Sequence, residues 1–386
     1  MKTDHPAIRY HLDSRGKIAT AIKSPLETPE DLALAYTPGV AEVCRTIAAE
    51  PETAAVLTNR GNTVAIVTDG TAILGLGNIG PTAGLPVMEG KAMIFKKMAD
   101  VDAVPLCIRA DGVEDIVRFC KQIEPSFGGI NLEDIAAPEC FEILERLEKE
   151  LSIPVFHDDQ DGTAVITLAA LINAAKLRGS SIDALRVVIN GSGAAGIAIA
   201  RLLSAYGVTD IVLVDSKGIL SADRDDLNGP KRDIASKTNP RGLAGDLSLA
   251  LSGADVFIGV SKGGILTRDD IRTMAERPIV FAMANPDPEI LPDEALAGGA
   301  FIVGTGRSDF PNQINNALVF PGLFRGLLDA HAKNPSRPMP SDMTAVKVAA
   351  ARAIASAVEP IGDRILPPVM DESVSPAIRA AVLAQE

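Results

Sequence analysis

Residues 186–215, reading RVVINGSGAAGIAIARLLSAYGVTDIVLVD, limit what this chain can fold into more than any other stretch. Strand, glycine-rich turn, helix and strand follow one another in the order of a dinucleotide-binding βαβ unit. A β-branched run (Val187, Val188, Ile189) feeds Gly191, Gly193 and Gly196, an apolar helical pattern covers 197–205, and a second strand pattern over 211–214 ends in Asp215. Gly191 permits a tight turn and Gly193 lets the backbone approach a pyrophosphate. Gly196 lets the helix pack close to the strand, while the N–H groups of the turn formed with Ser192, Ala194 and Ala195 face the phosphates. Asp215 is placed to accept from a ribose hydroxyl. The stretch is expected to hold NAD or NADP.

A second glycine triplet, Gly75, Gly77 and Gly80 in ILGLGNIGPTAGLP, follows another β-rich run at 63–68. Pro81, Gly84 and Pro86 argue against a helix directly after its third glycine, since proline removes donors and glycine costs helix entropy. This copy is therefore expected to be a structural or substrate-side loop rather than the nucleotide site.

At 386 residues, with 47% hydrophobic and 23% charged content, the chain is long enough for two domains with their own cores. Strand-like runs at 254–260, 278–283 and 300–303, separated by helix-length segments, predict an α/β fold with a Rossmann-like, doubly wound parallel sheet. An N-terminal α/β substrate and metal domain over 1–160 is expected to precede an NAD(P)-binding domain with C-terminal helices over 161–386, joined by an apolar helix at 162–177. Residues 216–242 read as a polar surface excursion beside the adenosine end, and 343–358 as an alanine-rich helix packing back on either domain. A net charge of −13 disfavours nucleic acid and anionic membranes. No apolar run is long enough to span a bilayer, and the charged N-terminus lacks an apolar signal core. Cys44, Cys107, Cys120 and Cys140 form no CxxC pair, which suits reduced, buried thiols in a cytoplasm.

Side chains after the strand patterns point toward the ligand crevice in such a sheet. Ser261, Gly263 and Gly264 follow one run. Asn285 follows another in ANPDPE, where it either donates to a substrate carboxylate or nicotinamide amide, or initiates a turn before Pro286. Glu133 and Asp134 in GGINLEDIAAPEC, and Asp158, Asp159 and Asp161 in IPVFHDDQDG, end apolar runs, where several like charges are costly unless a cation lies between them. Hard oxygen donors of this kind suit Mg²⁺ or Mn²⁺. The histidines are too dispersed for zinc, and His157 reads as a hydrogen-bonded structural residue. Tyr36 lies before a Pro-Gly turn that can present a phenol into a cleft. Lys91 follows a Gly-rich loop, is expected to begin a helix, and would serve as a base if buried near a divalent cation.

Taken together, AYTPGVAEVC, VTDGTAILGLGNIGPTAGLPVMEGKAMIFK, GGINLEDIAAPECFEI, FHDDQDGTAVI, VDSKGIL, NPDPE and NQINNALVFPG, in that order, resemble the compact bacterial form of the malic enzymes over most of the chain. The resemblance implies that Tyr36 is the acid, Lys91 the base, and Glu133, Asp134 and Asp159 the metal ligands, with Asp158 a neighbouring candidate. It also implies that Asn285 and Asn316 contact malate or the nicotinamide. The chain departs from larger members at Ala72, where they carry an arginine for a substrate carboxylate, and at Asp161, where a neutral residue or histidine is usual.

The implied reaction is oxidative decarboxylation of L-malate to pyruvate and CO2, with Mg²⁺ or Mn²⁺ and a nicotinamide coenzyme. Asp215 favours NAD, while Lys231 and Arg232 in the following loop offer a rescue for NADP. Other readings are a different metal-dependent hydroxy-acid dehydrogenase, an oxaloacetate decarboxylase, or a nucleotide-sensing protein without turnover. A homodimer or dimer-based oligomer is expected, with 32–49 as a candidate interface.

Overall fold

Strands of a parallel sheet are covered on both faces, so they need continuous apolar runs, and TVAIVT, RVVIN, IVFA and their neighbours supply them. The computed structural model describes residues 5–73, 75–334 and 342–385. Strands β1 (Thr63–Thr68), β2 (Asp102–Cys107), β3 (Gly129–Leu132) and β4 (Val155–His157) form an all-parallel sheet in the order β2-β1-β3-β4. Strands β5 (Arg186–Asn190), β6 (Asp210–Asp215), β7 (Gly218–Ile219), β8 (Val256–Gly259), β9 (Ile279–Ala282) and β10 (Ile302–Thr305) form a second sheet, β10-β9-β8-β5-β6-β7, in which β7 alone is antiparallel. The fold is α/β, with a Rossmann-like sheet following an N-terminal α/β unit, as expected.

Each sheet reverses its strand order at one place. β2 and β3 flank β1, and β6 and β8 flank β5, so loops diverge at the C-terminal ends of β1 and β5 and leave a crevice there. Between β4 and the apolar helix Thr163–Arg178 lies a single π-type turn, Asp158–Gly162. The helix ends at Gly179, whose φ of 75° is the left-handed cap conformation.

Two local expectations are overturned. A helix, Pro81–Ala99, does begin directly after Gly80, and Lys91 lies in its middle rather than at its start. Pro81 takes the first helical position, where its missing N–H is not needed and its fixed φ suits the turn. Pro86 removes only one further donor, and Gly84 lets Ile73 pack where a Cβ would be 2.7 Å from its Cδ1. The excursion at 216–242 also contains β7 and the helix Gly229–Ala235, with Ile234 and Ala235 buried. Cys120 and Cys140 are buried as expected, whereas Cys107 is half-buried and Cys44 exposed; all four are free thiols.

A single hydrophobic core joins the two sheets. It contains Val64 and Ile66 of the first, Val187 and Ile189 of the second, Leu168 and Leu171 of the connecting helix, and Val346, Ala350 and Ile354 of the C-terminal helix Thr344–Ser356. Asn173 crosses this core and donates to the carbonyls of Ala355 and Ile365, both at 2.9 Å. Phe95 packs against Phe320 and Phe324 with ring centroids 4.6 and 5.4 Å apart, and Phe156 against Phe324 at 6.0 Å. These rings fasten the helix Phe320–Lys333 to the N-terminal sheet. No helix among the described residues is long and apolar enough to cross a membrane. Phe324→Ala is expected to lower stability by about 3–5 kcal/mol, read as a reduced urea midpoint; an unchanged midpoint would show that the rings do not couple the layers.

Candidate active site

The C-terminal ends of β3 and β4 carry the acidic groups. β3 runs directly into Glu133 and Asp134; Glu133 is tied to β1 by its N–H, which donates to the Val67 carbonyl at 3.0 Å. Asp134 takes a left-handed φ of 53°, and its N–H donates to Asp159 Oδ2 at 2.8 Å. Carboxylate oxygens of Glu133, Asp134 and Asp159 all lie within 4.8 Å of one another. Burial, with Asp159 as a further influence, pushes the Glu133 pKa up to about 7, and burial together with Asp158 pushes that of Asp159 up to about 6. Three oxygen donors converging at such a cost fit a hard divalent ion such as Mg²⁺ or Mn²⁺.

Asp158 belongs to a different contact. It is fully buried and pairs with Lys91 Nζ, which also lies 3.0 Å from Glu133 Oε2 and 3.9 Å above the Phe320 ring. Burial raises the Asp158 pKa to about 7. Burial disfavours the Lys91 ammonium, but Asp158 and Glu133 outweigh it and hold its pKa above the ordinary lysine value. The π-type turn makes room for this pair: a Cβ on Gly162 would overlap Asp158 Oδ1 and stand 3.3 Å from Asn316, which places Asn316 beside the pair. Asp161 is bonded by Lys347 Nζ at 2.7 Å, so the acid at this position is matched by a base on the C-terminal helix. His157 is buried, as expected of a structural residue, but neither ring nitrogen has a hydrogen-bond partner among the described residues; burial holds its pKa down at about 4.

The loop with Gly75 and Gly77 joins the two units. The Ala72 N–H donates to the Asp134 carbonyl at 2.9 Å, and a Cβ on Gly75 would lie 3.2 Å from the Asn285 carbonyl. This loop thus reaches from the acidic cluster to the loop after β9. Tyr36 is not brought to the cluster. It caps the helix Pro29–Ala35, is 68% exposed, and makes no described side-chain bond to Lys91 or the carboxylates.

On the second sheet a cavity of about 520 Å³ is lined by Gly191, Ser192, Gly193, Asp215, Lys231 and Ser261. Gly191 has a φ of 117°, and a Cβ on Gly196 would overlap the Gly191 carbonyl, so strand and helix meet at contact distance. The helix Ala194–Tyr206 points its N-terminus into this turn. Asp215 is not an open carboxylate. Oδ1 accepts from Lys217 N at 3.0 Å and Arg224 Nη1 at 2.9 Å, and Oδ2 from Arg224 Nη2 at 3.2 Å and Lys231 Nζ at 2.8 Å. Burial works to raise its pKa, but these cations hold it below the usual range. Arg232, by contrast, donates to the Leu227 carbonyl at 3.1 Å.

Residues 15–112 and 109–148 match the family model "Malic enzyme, N-terminal domain", and 160–385 match "Malic enzyme, NAD binding domain". The chain is 51% identical to a bifunctional malic/malolactic enzyme of Bacillus subtilis over 99% of its length and 92% of the relative's. It is 52% identical to an NAD-dependent malic enzyme of Geobacillus stearothermophilus, over 95% of this chain and 76% of that one. The crystal structure of an NAD-dependent malic enzyme from Thermotoga maritima superposes with a TM-score of 0.94 at 49% identity, covering 98% and 99% of the two chains. The chain belongs to the malic enzyme family.

Within a malic enzyme framework, three residues stand out that the sequence reading did not single out. Arg224 grips Asp215, Phe320 lies under Lys91, and Lys347 neutralises Asp161. A lone arginine inside the acidic run SADRDD was the only available sign of the first. The raised carboxylate pKa values set a pH dependence. Protonated carboxyls favour the folded state, so their contribution is full below the ordinary carboxylate range and is lost as pH rises through about 7. The metal-free protein should therefore melt lower at pH 8 than at pH 5. Mn²⁺ should bind more tightly at pH 8 than at pH 5.5, and calorimetry on Asp159→Ala should show binding lost at both. Binding independent of pH would remove Glu133 and Asp159 as ligands.

Proposed function

We propose that this malic enzyme family member oxidises and decarboxylates L-malate to pyruvate and CO2 with NAD(P) and Mg²⁺ or Mn²⁺. The observation that carries the reading is the buried Lys91, held between Asp158 and Glu133 at the edge of a three-carboxylate cluster. A divalent ion held by Glu133, Asp134 and Asp159 would supply Lewis-acid polarisation of the oxygen on C2. Lys91 is the base for the C2 hydroxyl proton when unprotonated, and a divalent ion at the neighbouring cluster would weaken the carboxylates' hold on its ammonium. A bound nicotinamide coenzyme would take the hydride from C2, giving oxaloacetate. The C3–C4 bond then breaks to release CO2, its electrons form the enol of pyruvate, and Tyr36 delivers a proton to C3. Asn285 and Asn316 are the substrate and nicotinamide amides, with the loop at Ala72 committed through its N–H to Asp134.

Tyr36 sits on an N-terminal arm that exposes Ile22 by 80% and Leu34 by 77%. We take this arm as the face that a second copy covers, so that the tyrosine completes a site only in the dimer. Four free thiols suit a cytoplasmic location.

With L-malate, Mn²⁺ and coenzyme, reduction matched by pyruvate and abolished by chelator is the expected outcome. Lactate is assayed alongside, since the Bacillus relative is named as a malolactic enzyme too. Lys91→Ala should slow hydride transfer by about 100- to 10,000-fold, whereas Tyr36→Phe should spare it and retard ketonisation of enolpyruvate. Full malate turnover by either variant would remove that residue from the scheme.

The coenzyme preference turns on Asp215. A carboxylate has about four acceptor sites, and the four contacts described above occupy them. It therefore neither accepts freely from a ribose 2′-hydroxyl nor repels a 2′-phosphate as a bare carboxylate would. Lys231 has N–H groups to spare on the cavity side. We infer that NADP is accepted alongside NAD, with Lys231 reading the phosphate. Lys231→Gln should raise KM for NADP about tenfold or more and leave KM for NAD within about twofold, the loss of one charge-assisted bond; equal effects on both coenzymes would overturn this.

A further inference from the structure

A second buried carboxylate lies on the coenzyme side, away from the metal cluster and outside the reaction scheme. Glu289 is fully buried and has no ion-pair partner among the described residues. Its two oxygens are divided between two loops. Oε1 accepts from the Ser261 N–H at 3.1 Å, in the loop after β8, and Oε2 accepts from the Ala284 N–H at 3.1 Å, directly after β9. β8 leaves space for it: a Cβ on Gly259 would overlap the carboxylate. The same two loops are stitched again by Gly264 N to the Pro288 carbonyl and Leu266 N to the Glu289 carbonyl, both at 3.0 Å. Ser261 in turn accepts from Asn190 Nδ2 at 2.6 Å, which carries the connection to β5 and the nucleotide turn.

Burying a carboxylate without a cation is costly, and stability alone does not call for one here. What the position requires is two acceptors and no donor, because an aliphatic side chain would orphan both N–H groups and an amide would turn one N–H against another. Only a carboxylate meets that requirement. The residues it spaces are Ser261, on the wall of the nucleotide cavity, and Asn285, next to the donor Ala284.

We propose that Glu289 is a positioning residue for the nicotinamide: by taking one backbone N–H from each of the loops after β8 and β9, it sets the separation of Ser261 and Asn285. This rests on the reading of that crevice as the coenzyme seat. It predicts a selective effect, because the adenosine and pyrophosphate are held by the turn at Gly191 and by the residues around Asp215, whereas the nicotinamide end lies against the loops that Glu289 ties.

The test compares Glu289→Gln and Glu289→Asp with the wild-type holoenzyme, using calorimetric binding of the oxidised dinucleotide and of ADP-ribose, which lacks the nicotinamide, together with kcat. Glu289→Gln is expected to weaken the dinucleotide about tenfold, leave ADP-ribose within about twofold, and lower kcat at saturating coenzyme. Glu289→Asp keeps both acceptors on a shorter arm and should show the same selectivity with a smaller loss. Equal weakening of both ligands with a lowered Tm means a merely structural role and overturns the proposal, as does unchanged dinucleotide binding. If Glu289→Gln does not fold, Glu289→Asp decides by the same criterion. Wild-type protein that binds neither ligand would instead overturn the reading of the crevice, and the proposal with it.

Discussion

Carboxylates gathered at the ends of two neighbouring strands, β3 and β4, repel one another, and Lys91 is the cation that makes the gathering tolerable. Its ammonium touches Asp158 and Glu133 and lies over the Phe320 ring. That one contact draws together the helix Pro81–Ala99, the end of β3, the turn after β4 and the C-terminal helix Phe320–Lys333. Remove it and the same side chains become unpaired buried charges, each costing several kcal/mol. A divalent ion would relieve the other side of the cluster, so the residues proposed to bind it and the residue proposed to move the proton would share one electrostatic balance.

The topology explains why the balance can exist there. Both sheets reverse strand order, and both place their loops at C-terminal strand ends, so the acidic crevice of the first and the glycine turn of the second are products of the same rule. The loop bearing Gly75 spans them, bonded to Asp134 through Ala72 and closed against Asn285. The acidic cluster is thereby linked to the loop that follows β9, without either sheet contributing both sets of groups.

Much of this was legible in the residues. The fingerprint at 186–215 placed β5, the helix Ala194–Tyr206 and β6, because strand and helix periodicities and the glycine spacing agree there. The acidic groups were legible as ends of apolar runs. What escaped was decided by distant partners. Pro81 and Pro86 read as breakers although one sits where proline is favoured, and Lys91 was misplaced as a result. Arg224 could not be paired with Asp215 without the course of the intervening chain. The same holds for Asp161, whose partner Lys347 lies on another helix. Tyr36 is the reverse case: its surrounding phrase is informative, but a single chain leaves it exposed.

The two family models meet between 148 and 160, a stretch that runs through β4 into the turn Asp158–Gly162, yet nothing physical separates the chain there. The helix that follows contributes Leu168 and Leu171 to a core shared by both sheets, and Asn173 on it binds the carbonyls of Ala355 and Ile365. Lys347 reaches back to the turn itself. A π-type turn places Asp158 toward Lys91 and Asp161 toward Lys347 within four residues, which a regular helical start would not do for both. The C-terminal helices are thus part of the acidic site's support: by fixing Asp161 and supplying Phe320, they hold the turn in the conformation that presents Asp159 to the carboxylates of Glu133 and Asp134 and Asp158 to the lysine.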